Sequence, residues 1–450
     1  MRTWIREPLA ILDREAAGGL VIEGERIVER VPIGARPSAP VDAEFDARAH
    51  VVLPGLVNTH HHFYQTLTRA CPPALDKPLF PWLEALYPVW AGLRPEHLAV
   101  AARVALVELL RSGCTTVADH HYLFPAGLDE AIDIEVDAVR ALGMRAVLTR
   151  GSMSLSQEDG GLPPRSVVQR EDAILTDSER LLARYHEAGE GAMLQIALAP
   201  CSPFSVSGEL MRESAALARR HGARLHTHLA ETEDETDYCL AHFGHRPVDY
   251  LETLGWLADD VWVAHGIHFD DAEIARLGAA GVGVTHCPSS NMVLASGRCR
   301  VLALESAGTP VSLGVDGSAS NDASNLMIET RQAFLLQRLH EGAARVGHRD
   351  ALRWATEGGA RCLGRPDLGR LTPGAQADLA LFRLDELGFA GAGDPLAALV
   401  LCGAHAADRV MIAGQWRLID GEVPGLDVEA LVAAQREASA ALLTAAGVIA

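Results

Sequence analysis

The sequence predicts an α/β fold: a (β/α)8 barrel of the TIM type, with a small β-sandwich domain built from both chain ends. Three observations lead there. Through the middle of the chain, short apolar runs of strand length alternate with helix-length stretches. Near both ends, short strand-like runs alternate with turns instead. Histidines and acids recur where the middle runs stop, as they would if those stops shared the carboxyl-end face of a barrel.

The elements follow in order. Residues 1–50 carry strand-length runs at Leu9–Leu12, Gly19–Ile22 and Arg26–Arg30. Barrel strands are expected at Val51–Asn58, Thr115–Asp119, Arg145–Arg150, Leu194–Ala199, Arg224–Leu229, Val261–His265, Val282–His286 and Pro310–Val315. Helical stretches such as Glu96–Arg111 and Glu209–His221 separate most of them, and only a short one fits between Cys287 and Thr309. The closing part returns to strands at Ala377–Phe382, Arg409–Ala413 and Trp416–Asp420, then ends in an Ala-rich, helix-like tail. The expected division is therefore 1–52 and 366–450 for the small β domain, the second part including the tail, and 53–365 for the catalytic barrel.

Composition narrows the function. The chain has 450 residues, 48% of them hydrophobic, enough for one large core and a smaller one. A formal charge of −20 argues against nucleic acid and anionic membrane as partners. The eight cysteines have no C-x-x-C spacing and sit singly in apolar surroundings, which suits reduced thiols in a cytoplasm. The start lacks an apolar signal core, and no window reaches the roughly 18 apolar residues of a membrane helix. A cytoplasmic location is the expectation.

The chemistry gathers at two stretches. In Asn58-Thr-His-His-His-Phe, His60 and His62 are two apart, so on an extended backbone both rings point to one side. In His226-Thr-His-Leu-Ala-Glu231, His226 and His228 repeat that spacing, and Glu231 follows His228 by three. Asp119, His120 and His121, then His265, His286 and Asp316, fall at further strand exits. A lone buried histidine is usually a satisfied core residue; a ring of them at one mouth reads as a metal site. Three neutral imidazoles and one carboxylate, with a position left for water, form a catalytic coordination set. Zinc is the first choice and ferrous iron the second, because nitrogen-rich sites separate them poorly. Such an ion makes water a nucleophile at neutral pH. Asp316 can accept the water proton, Glu231 can carry protons to a ring nitrogen and the departing amine, and His265 can steady the attacking water. Taken alone, Glu231 would read as one of a run of solvated loop acids with Glu233, Asp234 and Glu235. His226 and His286 suit supporting roles better than ligation. The fourth strand ends Ala197-Leu-Ala-Pro200, without the lysine or acid that would bridge two metals, so one metal is expected.

Together these residues resemble the amidohydrolase superfamily over nearly the whole chain, including the Pro-Gly-Ala-Gln-Ala-Asp segment at 373–378. The resemblance implies His60, His62, His228 and Asp316 as metal ligands, and Glu231, His265 and Asp316 as the proton-handling set. The implied subgroup is the mononuclear aminohydrolases, which deaminate nitrogen heterocycles. A narrower likeness, carried by segments such as Ala199-Pro-Cys-Ser-Pro-Phe-Ser205 and Cys287-Pro-Ser-Ser-Asn-Met292, implies hydrolysis of 8-oxoguanine to urate and ammonia, with isocytosine-like pyrimidines as lesser substrates. Alternatives are a hydroxytriazine, guanine or an adenosine-like purine as substrate, or a non-catalytic barrel of the same family. A cytidine-deaminase-type site is disfavoured, since its H-x-E and P-C-x-x-C are missing. For a planar heterocycle, Gln65 can pair with a lactam edge, and Trp82 and Asn291 are the other expected contacts. Analogy with the family adds a homo-oligomer to the expectation.

Overall fold

Eight parallel strands wrap into a nearly closed barrel: Leu56–Asn58, Cys114–His121, Arg145–Ser152, Leu194–Pro200, Leu225–Leu229, Val261–His265, Gly283–His286 and Val311–Leu313. Each strand neighbours the next in sequence, as repeated strand–helix crossovers of one hand require. The remaining seam between the last strand and the first is bridged where Thr59 N–H donates to the Leu313 carbonyl at 3.2 Å. This computed structural model describes residues 1–449; Ala450, the end of the expected C-terminal segment, lies outside the described residues. Among the described residues no helix is long and apolar enough to cross a membrane.

Alternation along the strands fills the barrel. Val57, Ala118, Val147, Ala197 and Trp262 meet Cys362 and Leu363 in one buried cluster. The interior is therefore packed, and the histidines of the same strands lie beyond that plug, at the carboxyl ends.

The first expected strand, Val51–Asn58, is two strands. His50–Pro54 pairs antiparallel with Leu379–Arg383 and parallel with Ala10–Ile11, in a sheet outside the barrel. Only Leu56–Asn58 joins the barrel, beside Cys114–His121. The break falls at Gly55. A Cβ there would lie 2.1 Å from Thr115 Oγ1, so only glycine lets the chain pass this close to the second strand. The Pro54-Gly55 step inside the apolar run is the one mark of this change of sheet in the sequence, and it reads as part of a single strand because both halves are buried.

The strands near the termini form two sheets. One joins Arg26–Val31, Gly19–Glu23, Arg2–Arg6 and Ala43–Asp46; the other joins Gln415–Leu418, Arg409–Ile412, Leu379–Arg383, His50–Pro54 and Ala10–Ile11. They share a core in which Ile5, Leu20 and Ile22 meet Val52, Leu381 and Met411. A buried fork ties this unit to the barrel: Arg145 Nε and Nη2 donate to the two Asp378 oxygens at 3.0 and 3.1 Å. The tail is helical over Val428–Ala445. It is held beside the first strand's exit by Gln435 Nε2 on Thr66 Oγ1 at 3.1 Å and by Ser439 Oγ on the Leu67 carbonyl at 2.6 Å.

Candidate active site

The chain leaving the first barrel strand stays extended and presents His60 and His62 to the barrel mouth. Its next residues, His61–His62, pair in parallel with Asp316–Gly317 beyond the eighth strand. That pairing brings Asp316 Oδ1 to 3.3 Å from His60 Nε2 and 3.2 Å from His62 Nε2. The fifth strand adds His228, whose Nε2 is 3.3 Å from His62 Nε2. Ligand atoms of His60, His62 and His228 lie within 4.8 Å of one another, as do those of His60, His265 and Asp316.

Hydrogen bonds behind the rings determine which nitrogens carry protons. His62 Nδ1 lies 2.7 Å from the His120 carbonyl, and His228 Nδ1 lies 2.7 Å from the Cys201 carbonyl. A carbonyl only accepts, so each Nδ1 is the protonated nitrogen and each Nε2 of the neutral ring carries a lone pair. His60 reaches the same state through a relay. His226 Nδ1 donates to the Trp262 carbonyl at 2.9 Å, so its Nε2 accepts from His60 Nδ1 at 2.8 Å. Burial pushes His60, His226 and His228 below the ordinary histidine range, and for His228 the neighbouring imidazoles push the same way. Three lone pairs and a carboxylate oxygen thus converge in a buried place that disfavours extra protons. His60 Nε2 has no hydrogen-bond donor at all. Mutual repulsion of such a set is relieved by a cation, so the donor chemistry fits a divalent metal.

A proton-handling group adjoins this set. Glu231 Oε2 is 3.3 Å from His265 Nε2, which is also 3.9 Å from Asp316 Oδ2. Burial, reinforced by the charges of Asp316 and Glu235, pushes the Glu231 carboxyl well above its usual range, which favours its proton-bearing form. Burial brings His265 down to about 3, leaving a neutral ring. Asn291 Nδ2 lies 3.2 Å from His265 Nδ1 and donates a hydrogen bond to it, which leaves the ring's own N–H on Nε2, aimed at Glu231 and Asp316. Backbone strain concentrates here: Ala230, His265 and Asp316 have φ of 52°, 76° and 62°. Left-handed residues other than glycine cost about 1–3 kcal/mol each and cluster at functional sites.

The cleft over this group is lined by His62, His228, Glu231, His265 and Asp316, and by Gln65, Leu79, Trp82, Tyr122, Cys201 and Phe204. Of the three expected substrate contacts, Gln65 and Trp82 face the cleft. Both also touch Ala319: its N–H donates to Gln65 Oε1 at 3.3 Å, and its carbonyl accepts the Trp82 indole N–H at 3.3 Å. Asn291 stands behind His265 and does not line the cleft. His286 lies beside Gln337, 3.3 Å away, apart from the ligand set. Tyr122, Cys201 and Phe204 carry no spacing signal, so the sequence assigned none of them to the pocket, although Cys201 and Phe204 lie in a segment that carries the family likeness; only the folded loops bring them to one wall.

The amidohydrolase family profile matches residues 51–417. The chain is 64% identical to 8-oxoguanine deaminase of Pseudomonas aeruginosa over 98% of this chain and 99% of that protein. It is 38% identical to an isoxanthopterin deaminase from an unknown prokaryote, over 89% of this chain and 87% of that one. Among solved structures, atrazine chlorohydrolase of Arthrobacter aurescens TC1 complexed with zinc superposes with a TM-score of 0.91, at 32% identity, over 97% of this chain and 100% of its own.

Proposed function

This chain belongs to the amidohydrolase family, and from that premise we propose that it is a metal-dependent hydrolytic deaminase that removes the exocyclic amine of 8-oxoguanine, giving urate and ammonia. One observation carries the chemistry: three imidazole lone pairs and a carboxylate converge beside a buried glutamate that touches His265. The 64% identity to 8-oxoguanine deaminase carries the substrate. 8-Oxoguanine, isoxanthopterin and isocytosine share a 2-amino-4-oxopyrimidine ring, which makes isocytosine-like pyrimidines the lesser substrates in this reading.

His60, His62, His228 and Asp316 would hold the ion, with zinc the first choice from the nitrogen-rich set and from the zinc-bound structural neighbour. When bound, a divalent cation makes a water molecule nucleophilic at neutral pH. Asp316, which would be one of the ion's ligands, would also accept a proton from the attacking water. Glu231 donates its proton to the ring nitrogen next to the amine-bearing carbon, so negative charge does not build up there. His265 Nε2–H points at the same place and steadies the oxygen that attacks. A proton returned through Glu231 and Asp316 lets the amine leave as ammonia. Gln65 and Trp82 hold the heterocycle flat, and Asn291 acts on it through His265.

The test is ammonia and urate formation by the zinc-loaded protein with 8-oxoguanine, guanine and isocytosine. Turnover of 8-oxoguanine well above guanine is expected; comparable rates would overturn the substrate assignment.

A further inference from the structure

We propose that Glu235 is a positioning residue for the carboxyl group of Glu231, an inference that rests on the proton-transfer role given to Glu231 above. By sequence Glu235 reads as the last of a run of solvated acids. In the fold it is fully buried. Its Oε1 accepts the Ala230 N–H at 2.8 Å, and its Oε2 accepts the Glu231 N–H at 3.1 Å.

That is an unusual use for a glutamate in the first turn of a helix. Such a residue ordinarily turns back to its own helix cap. Here the helix is Glu233–Phe243, its cap residue Thr232 makes no side-chain capping bond, and Glu235 reaches past it to the strand exit. The two amides it grips belong to a turn that needs holding, because Ala230 sits at φ 52°. The other side of the turn is gripped as well. The Ala230 carbonyl accepts from Ile267 N–H at 2.9 Å and His268 N–H at 3.0 Å, in the loop that follows His265. The turn is thus clamped between the helix behind it and the loop carrying its catalytic neighbour. With its torsions fixed, the Glu231 side chain exits toward His265 at 3.3 Å. Relaxation of Ala230 toward an ordinary conformation would swing that carboxyl away. Glutamine at 235 would accept one amide proton but set an NH2 group against the other.

The experiment measures kcat, KM and zinc content for the wild type, E235Q, E231Q and the double variant, with 8-oxoguanine as substrate, and solves the zinc-bound E235Q structure. Misplacement of a reacting group by about 1 Å costs about 10²-fold. The expected result is a loss of that order in kcat for E235Q, with KM and zinc content near wild type, little further loss when Glu231 is already glutamine, and a Glu231 carboxyl displaced from His265. Wild-type kcat in E235Q, an equal loss from E235Q in both backgrounds, or an unmoved Glu231 overturns the proposal. Wild-type kcat in E231Q instead removes the role of Glu231 itself, a separate signature. If E235Q does not accumulate folded, E235D keeps the charge, draws the fork back by one carbon and is judged by the same measurements.

Discussion

Each imidazole that would hold the ion takes its free nitrogen from an oxygen placed behind it. For His60 that oxygen acts through His226, which stacks on Trp262 with ring centroids 4.4 Å apart. Replacing His226 with phenylalanine keeps the stacking and breaks the relay, so zinc affinity is expected to fall about 10–100-fold, read by competition with a chelator. Glu231→Gln should leave zinc bound while ammonia release falls by about 10²–10⁴-fold. A second buried polar group, Asp119, His121 and Glu135, faces the helices behind the second strand. His121 Nε2 donates to the Leu123 carbonyl at 2.7 Å, so its Nδ1 lone pair meets Glu135 Oε1 at 3.0 Å. That contact suits a protonated Glu135, and burial pushes this carboxyl from 4.5 up to about 8. The folded state therefore holds a proton that the unfolded state releases. Stability is lost as pH rises from about 4.5 to about 8 and levels off above that. E135Q lacks this penalty. Its unfolding free energy should gain on that of the wild type across that window, by up to about 1.4 kcal/mol per pH unit, and hold a constant gap above it, as read by denaturant unfolding at each pH.

At the scale of elements, the pairing of His61–His62 with Asp316–Gly317 sets the site, because it joins the first strand's exit to the last. The same pairing leaves no room at Gly317, where a Cβ would fall 1.9 Å from Gln65 Oε1. G317A should displace Gln65 and raise KM for 8-oxoguanine while zinc content stays at the wild-type level. An unchanged KM would argue that Gln65 does not touch the substrate. The wall residues Tyr122, Cys201 and Phe204 belong to this scale too, since two separate strand-to-helix connections, after Cys114–His121 and after Leu194–Pro200, place them side by side.

At the scale of the whole molecule, the barrel and the terminal sheets are coupled through Arg145 and Asp378, both buried. Arg145 also donates to the carbonyls of Gly191 and Ala192, each at 2.8 Å. D378A strands the guanidinium in the interior, so a loss of about 3–5 kcal/mol is expected in denaturant unfolding. Metal binding should stabilise the same fold: chelation lowers the melting temperature and zinc restores it, with the unfolding free energy raised by about 2.7 kcal/mol at a free-ion level of 100 Kd.

Local spacing made much of this legible. Residues two apart on a strand share a side whatever surrounds them, so His60 with His62 and His226 with His228 could be paired on the sequence alone, and the barrel followed from the repeat of strand-length and helix-length runs. What the sequence by itself determined was the chemical kind of the site and the strands that carry it. The tertiary structure alone decided which ring nitrogens are bare, that Val51–Asn58 divides between two sheets, that Asn291 serves His265 from behind, and that Glu235 is a buried clamp and not a surface acid. Each of those depends on a backbone oxygen, an amide or a close contact supplied by another element, and such partners leave no trace in the spacing of the residues they act on.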